Sequence, residues 1–189
     1  HNGRPVGFIA THAYALDVSP DGRQLVCGLA DGQIELRDAA NGAVIASLGK
    51  HEQSLSFARF SGDGAHVVTS SFDRTAKVWD VASRSLVASF EQHGFPVGGA
   101  AFSPDGKLVA SCAYARPPGT VVGTVHVWDA SNGSLERTLE GGRKPLVGIE
   151  FSPDGKKLAA GSWGFCVFVW DLESGAGPVE LAVPDEGIY

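Results

Sequence analysis

The chain has no methionine among its 189 residues and only three cysteines, Cys27, Cys112 and Cys166. These lie far apart and form no C-x-x-C pair, so neither a disulfide framework nor a cysteine-rich zinc site is expected. Three reduced thiols in strands is the reading, and with it a reducing, cytoplasmic compartment. Charge of neither sign is concentrated: 15 basic and 21 acidic residues give a net charge of −6 without a block of like charges. That leaves no footprint for nucleic acid. No apolar run approaches the ~18 residues a membrane helix needs. His1-Asn2-Gly3-Arg4-Pro5 does not open a signal-peptide pattern. Neither nucleic acid nor a membrane is expected as a partner. A start at His1 without any Met reads as a piece of a longer chain. What the sequence does have is 43% apolar against 19% charged residues, enough for a packed core.

Helical periodicity is also missing; in its place the chain repeats itself. An apolar residue followed by Ser-x-Asp-Gly occurs at Val18–Gly22, Phe60–Gly64, Phe102–Gly106 and Phe151–Gly155, with steps of 42, 42 and 49 residues. Eighteen residues after the serine comes a second landmark: Arg37-Asp38, Trp79-Asp80 and Trp170-Asp171. In the third repeat the gap is 25, ending at Trp128-Asp129, so seven extra residues lie inside that repeat before its tryptophan. Short runs of Val, Leu, Phe and Ala flank these landmarks, as in Leu55–Phe60, Val67–Ser70, Thr75–Trp79 and Leu86–Phe90. Asp31-Gly32, Asn41-Gly42 and Asn132-Gly133 separate other runs with the pairs that tight hairpins favour. Each repeat reads as four short strands joined by hairpins. One such sheet cannot bury both faces alone, and stacking the sheets gives a shared core.

Four-stranded units of about 42 residues closing on Trp-Asp resemble the WD40 repeats of a β-propeller. The resemblance implies an all-β fold of four four-stranded antiparallel blades, at approximately 10–50, 51–92, 93–141 and 142–183. Strands a to d run from the inside outward in each. Arg4–Ile9 would then be an additional d strand, while the last repeat has its own at Pro178–Val183. That surplus favours a fragment of a larger propeller. A closed four-blade ring and a dimer closing a larger ring are the alternatives. An open arc would expose apolar sheet faces and is expected to self-associate.

The resemblance also implies a structural tetrad in the second repeat, formed by His51, Thr69, Asp73 and Trp79. Indole N–H, hydroxyl, imidazole and carboxylate then satisfy one another in the interior. Hydroxyl, histidine and carboxylate would also describe a nucleophile, a base and an orienting acid. A mid-strand Thr69 has no open pocket, so the structural reading is preferred. The third repeat keeps His93, Ser111 and Trp128, with the insertion where its aspartate belongs. The first has Ile9, Cys27, Asp31 and Arg37, and the fourth Gly142, Ala160, Gly164 and Trp170. The four Asp-Gly aspartates read as turn formers rather than calcium or catalytic groups.

No catalytic or metal-binding motif stands out, so no cofactor is expected and function is assigned to a surface. WD40 propellers typically bind peptides or protein faces on the top, the rim made by the d–a and b–c loops. The positions that face this rim hold His12, Tyr14 and Ala30; Ser54, Ser56 and Phe72; Pro96, Gly98 and Tyr114; and Pro145, Val147 and Trp163. Tyr14, Phe72, Tyr114 and Trp163 are aromatic residues of the kind enriched in binding hot spots. His12 and the insertion around Arg116 join them as candidates. The expected function is a non-enzymatic scaffold for a protein or peptide partner. The alternative is a propeller enzyme, lactonase-like or another hydrolase, with a site in the central channel. The inner strands carry mostly Ala, Val, Ser, Leu and Phe, with Asp17, Arg59 and Glu150 as the charged exceptions, which argues against that alternative.

Overall fold

A computed structural model describes residues 13–113, 123–141, 145–162 and 166–182. The described residues form sixteen strands and no helix. β1 (Ala13–Val18), β2 (Gln24–Leu29), β3 (Gln33–Asp38) and β4 (Val44–Lys50) make the first antiparallel sheet. β5 (Leu55–Phe60), β6 (His66–Ser71), β7 (Ala76–Asp80) and β8 (Ser85–Phe90) make the second. The third contains β9 (Val97–Phe102), β10 (Leu108–Ala113), β11 (Thr124–Asp129) and β12 (Leu135–Glu140). The fourth contains β13 (Leu146–Phe151), β14 (Lys157–Ser162), β15 (Cys166–Asp171) and β16 (Val179–Ala182). In every sheet the strands pair in chain order, as hairpins require. The additional strand expected at Arg4–Ile9 lies outside the described residues.

The recurrent Ser-x-Asp-Gly string explains why each sheet starts the same way. In the first sheet Ser19 Oγ donates to Asp21 Oδ1 at 2.6 Å, and the same oxygen accepts from Arg23 N at 3.0 Å. Ser19 Oγ in turn accepts from Gln24 N at 2.9 Å, which closes the hairpin. Gly22 takes φ +71°, a conformation that a side chain disfavours. Ser61, Ser103 and Ser152 build the same turn with Asp63, Asp105 and Asp154. These hydrogen bonds from the serines are the first cause holding all four aspartates below the ordinary carboxylate range. A charged turn former accounts for the motif, as expected.

Alternation along the strands then builds three cores, one at each joint between sheets. Ile34, Leu36 and Leu48 of the first sheet pack on Leu55, Ala58, Phe60 and Trp79 of the second. Val78 and Phe90 of the second pack on Ala100, Phe102 and Trp128 of the third. Val125 and Val127 of the third pack on Ile149, Phe151 and Trp170 of the fourth. The inner strands follow one another, with β1 on β5, β5 on β9 and β9 on β13, and no comparable packing joins β13 to β1. The described sheets therefore form an arc of four blades. Arg59 of β5 reaches past β9 to pair with Glu150 of β13, so the arc curves about its inner strands.

Candidate functional site

The second blade holds the fully connected polar chain. The Trp79 indole N–H donates to Thr69 Oγ1 at 2.8 Å. The Thr69 hydroxyl donates to His51 Nε2 at 2.8 Å, and His51 Nδ1–H donates to Asp73 Oδ2 at 2.9 Å. This tautomer is the one that lets every member use its hydrogen. Thr69 and His51 are completely buried. Burial raises the Asp73 carboxyl, yet hydrogen bonds from His51 and Thr75 outweigh burial and hold it well below its ordinary value. Burial pushes His51 down, with Asp73 opposing, so the imidazole is neutral. The Thr69 hydroxyl is enclosed and occupied on both sides. It offers no approach to a substrate, so the chain of groups is structural and not a nucleophile with its base.

Thr75 belongs to the same arrangement and is not apparent from the repeat pattern. Its hydroxyl donates to Asp73 Oδ1 at 2.7 Å and lies 3.0 Å from His51 Nδ1. Glu52 N adds a donor to Asp73 Oδ2 at 3.0 Å. His51, Thr75 and Glu52 N thus hold Asp73 in the turn between β6 and β7, in which Arg74 takes φ +73°. Asp73→Ala is expected to cost about 1–3 kcal/mol of stability, because His51 loses its acceptor in the interior. Asp63→Ala, which opens only an exposed turn, is expected to cost less. Urea denaturation of the two variants checks the order, and the reverse order would refute the tetrad's role.

The tightened turn carries Phe72, which sits next to Asp73 with 41% of its surface exposed. The backbone N–H of Phe72 donates to Ser54 O at 3.1 Å, and Ser71 Oγ donates to the same carbonyl at 2.9 Å. Ser54 Oγ donates to Ala30 O at 2.5 Å, tying the rim of the first blade to that of the second. Ala30, Ser54 and Phe72, three of the rim positions, are therefore held together. Ser56 and Gly98 are not free for a partner. Ser56 Oγ donates to Val97 O at 2.5 Å, and Gly98 is buried. Tyr14 is 67% exposed, at the irregularity in β1 where pairing skips from Ala13 to Ala15. Pro96, Pro145 and Val147 are half-buried. His12, Tyr114, Arg116 and Trp163 lie outside the described residues.

The inner-strand charges, which a channel enzyme would need free, are engaged within the fold. Asp17 Oδ2 accepts from Phe60 N at 2.9 Å, and Arg59 pairs with Glu150. Among the described residues no group of three His, Cys, Asp or Glu side chains is arranged to hold a metal ion. A cleft of about 390 Å³ opens between the second and third blades at the opposite, a–b-turn end, beside His66, Phe102, Lys107 and Asp129. Its polar residues do not converge: His66 faces Asp80 at 3.8 Å and Lys107 faces Asp105 at 4.0 Å.

The tetrad changes from blade to blade. In the third blade Trp128 Nε1–H donates to Ser111 Oγ at 3.0 Å and Ser111 Oγ lies 2.8 Å from His93 Nε2. Among the described residues His93 Nδ1 has no hydrogen-bond partner although it is buried. Burial, and then the neighbouring His126, push His93 down to about 3. In the first blade Arg37 replaces tryptophan, and its Nε and Nη2 hold Glu35 Oε2 at 2.9 and 2.6 Å. In the fourth the Trp170 indole N–H finds a backbone acceptor, Glu140 O, at 3.0 Å.

The family model described as WD40: WD domain, G-beta repeat matches residues 3–38, 42–80, 84–116 and 133–171. The matched units 42–80 and 133–171 each start near a d strand and end on the c strand of the next sheet, so one repeat straddles two blades, whereas 84–116 ends before the c strand β11. No curated protein matches the chain.

Proposed function

Because this chain belongs to the WD40-repeat family, whose repeats generally mediate protein–protein interaction, we propose that it is a non-catalytic scaffold that docks a peptide or protein segment on its loop-bearing top face. The observation that carries the reading is Phe72: a large aromatic side chain, substantially exposed, on a turn immobilised by a buried polar network. An anchor held rigid before binding loses little conformational freedom on complex formation, which favours affinity. Tyr14 supplies a second exposed aromatic residue. His12, Tyr114, Arg116 and Trp163 complete the proposed surface from their repeat-equivalent positions and from the third-blade insertion. A cytoplasmic location is part of the same proposal, in keeping with three buried free thiols.

A random peptide library selected on the wild-type protein supplies the probe. Truncating an interface anchor typically costs about 2 kcal/mol or more, so Phe72→Ala is expected to weaken the selected peptides about thirtyfold. Its melting temperature should barely move, because the side chain lies at the surface. Asp21→Ala and Asp105→Ala, at the opposite end of the blades, should leave binding intact. Calorimetric titration of the three variants decides the matter. Affinity lost only in the turn variants would move the docking surface to the end that carries the cleft.

A further inference from the structure

The residue after the motif serine is Pro20 in the first blade and Pro104 in the third, and each lies across a joint from the glycine of the next a–b turn. A Cβ at Gly64 would lie 3.3 Å from Pro20 Cδ, and one at Gly155 would lie 3.6 Å from Pro104 Cδ. The second blade has Gly62 at this position, and a Cβ at Gly106 would meet nothing within 4 Å. A niche of about 70 Å³ opens there, lined by Ser61, Gly62 and Asp63 of one turn and Pro104, Asp105 and Gly106 of the next. Gly106 also borders the cleft of about 390 Å³, so niche and cleft adjoin along the bottom of one joint. Val87, Phe102 and Ala130 give the cleft apolar walls.

Charge around this joint is mainly negative. The two basic side chains of the lining are taken up, His66 facing Asp80 and Lys107 facing Asp105. Asp63 at the niche and Asp129 at the cleft form no ion pair among the described residues. Hydrogen bonds from Ser61 and Ser131 hold these two carboxyls below their ordinary range, so both are ionised. A matching occupant brings positive charge.

We propose that this joint is a docking groove for a short partner segment that carries a proline beside a lysine or arginine. The fold supplies the template, since it makes the proline–glycine contact at the joints on either side and leaves it unmade here. The partner's ring takes the place on Gly106 that Pro20 takes on Gly64. A neighbouring apolar side chain enters the cleft, and the cation meets Asp63 or Asp129. A proline-containing segment is largely extended before it binds, so it loses little conformational freedom. The groove lies at the opposite end of the blades from Phe72 and stands or falls apart from the top-face reading.

Gly62→Pro tests the proposal, because the protein then fills its own niche. The backbone bonds of this turn run from Ser61 N to His66 O and from Gly64 N to Ser61 O, so a proline at 62 costs none of them. The probe is a fluorescein-labelled peptide pool with a central Pro-Arg pair and randomised flanks, read by anisotropy at low salt. Wild type should bind it, and so should Asp21→Ala, altered in the equivalent turn of the first blade. Gly62→Pro should bind about tenfold more weakly or worse, as expected for a lost anchor, with no fall in melting temperature. Ser131→Lys, an exposed change that sets a cation beside Asp129, should also weaken binding, and it decides the matter if proline perturbs the turn. Pools with alanine for the proline or glutamate for the arginine should lose most of the signal. A wild type that ignores the Pro-Arg pool overturns the proposal, as does a pool that binds equally well without its proline. Equal binding by a well-folded Gly62→Pro overturns it too. Binding lost in Phe72→Ala but kept in Gly62→Pro would put the pool on the top face and likewise overturn it.

Discussion

Trp79→Ala is expected to lower the unfolding free energy by about 3–5 kcal/mol, the range for deleting a large aromatic side chain from a core. The ring is buried at the joint between the first two blades, with its edge toward His51 at a centroid distance of 6.4 Å and its indole N–H on Thr69. Cavity and polar losses act in the same direction. The surroundings lose an aromatic filler, and the enclosed Thr69 hydroxyl loses its donor. An exposed position such as Leu86, across the ladder from Trp79, should show far less effect. Urea denaturation measures both. A Trp79→Ala cost below about 1 kcal/mol would mean the joint can collapse onto the vacancy, and the tetrad would not be the tie described above.

The second large effect comes from the other side of the same ring. Gly49 of β4 has φ +152°, and a Cβ there would lie 2.3 Å from Trp79 Cζ3 and 2.6 Å from Cη2. Gly49→Ala is expected to cost about 3 kcal/mol or more, combining backbone strain of about 1–3 kcal/mol with overpacking of similar size. The two contributions separate in a double-mutant cycle. In a Trp79→Ala background the ring contact is gone and only the backbone part should persist. Strict additivity of the two substitutions would show that the ring is not what excludes a side chain at 49.

These two residues also mark the limit of what the sequence discloses. Trp79 is conspicuous, eighteen residues from its serine and in register with Trp170. Gly49 carries no such landmark, because its need for a bare α-carbon arises between blades rather than within one. The hairpins were legible for the opposite reason: Ser19, Asp21 and Gly22 settle their turn with bonds that reach no further than Gln24. The tetrad was legible in the second blade as residue types at family spacing. Its reinforcement by Thr75 was not, since a threonine two residues after an aspartate is common in turns. Where the pattern breaks, substitutes come from elsewhere. Glu35 takes up Arg37, and the Glu140 carbonyl takes up Trp170. The Arg59–Glu150 pair joins repeat-equivalent positions two blades apart, each directly before the Phe of its Ser-x-Asp-Gly string, but the repeat alone does not say that they meet. Of the six candidate docking residues, Phe72 shows how position and chemistry combine. The repeat places it at the rim, and the Asp73 network next to it holds the turn.

His93, whose buried Nδ1 has no hydrogen-bond partner among the described residues, makes the third blade one point where protons act on the fold. An unfolded histidine binds a proton near pH 6.5, whereas the folded protein resists protonating His93 until about pH 3. Between those values the unfolded chain holds a proton that the folded chain refuses. Stability is then full above about pH 6.5 and declines as pH falls through that window, by at most about 1.4 kcal/mol per pH unit. His51 and His126, both also pushed down by burial, add in the same direction. Asp73 acts in a lower window: its depressed carboxyl stabilises the fold above its ordinary range, and that contribution fades only in stronger acid. Replacing His93 with Gln removes one titrating group while keeping a polar side chain of similar reach. Denaturation midpoints recorded from pH 7 to pH 4 should therefore slope less steeply in His93→Gln than in wild type, and parallel slopes would assign the acid sensitivity to the other histidines.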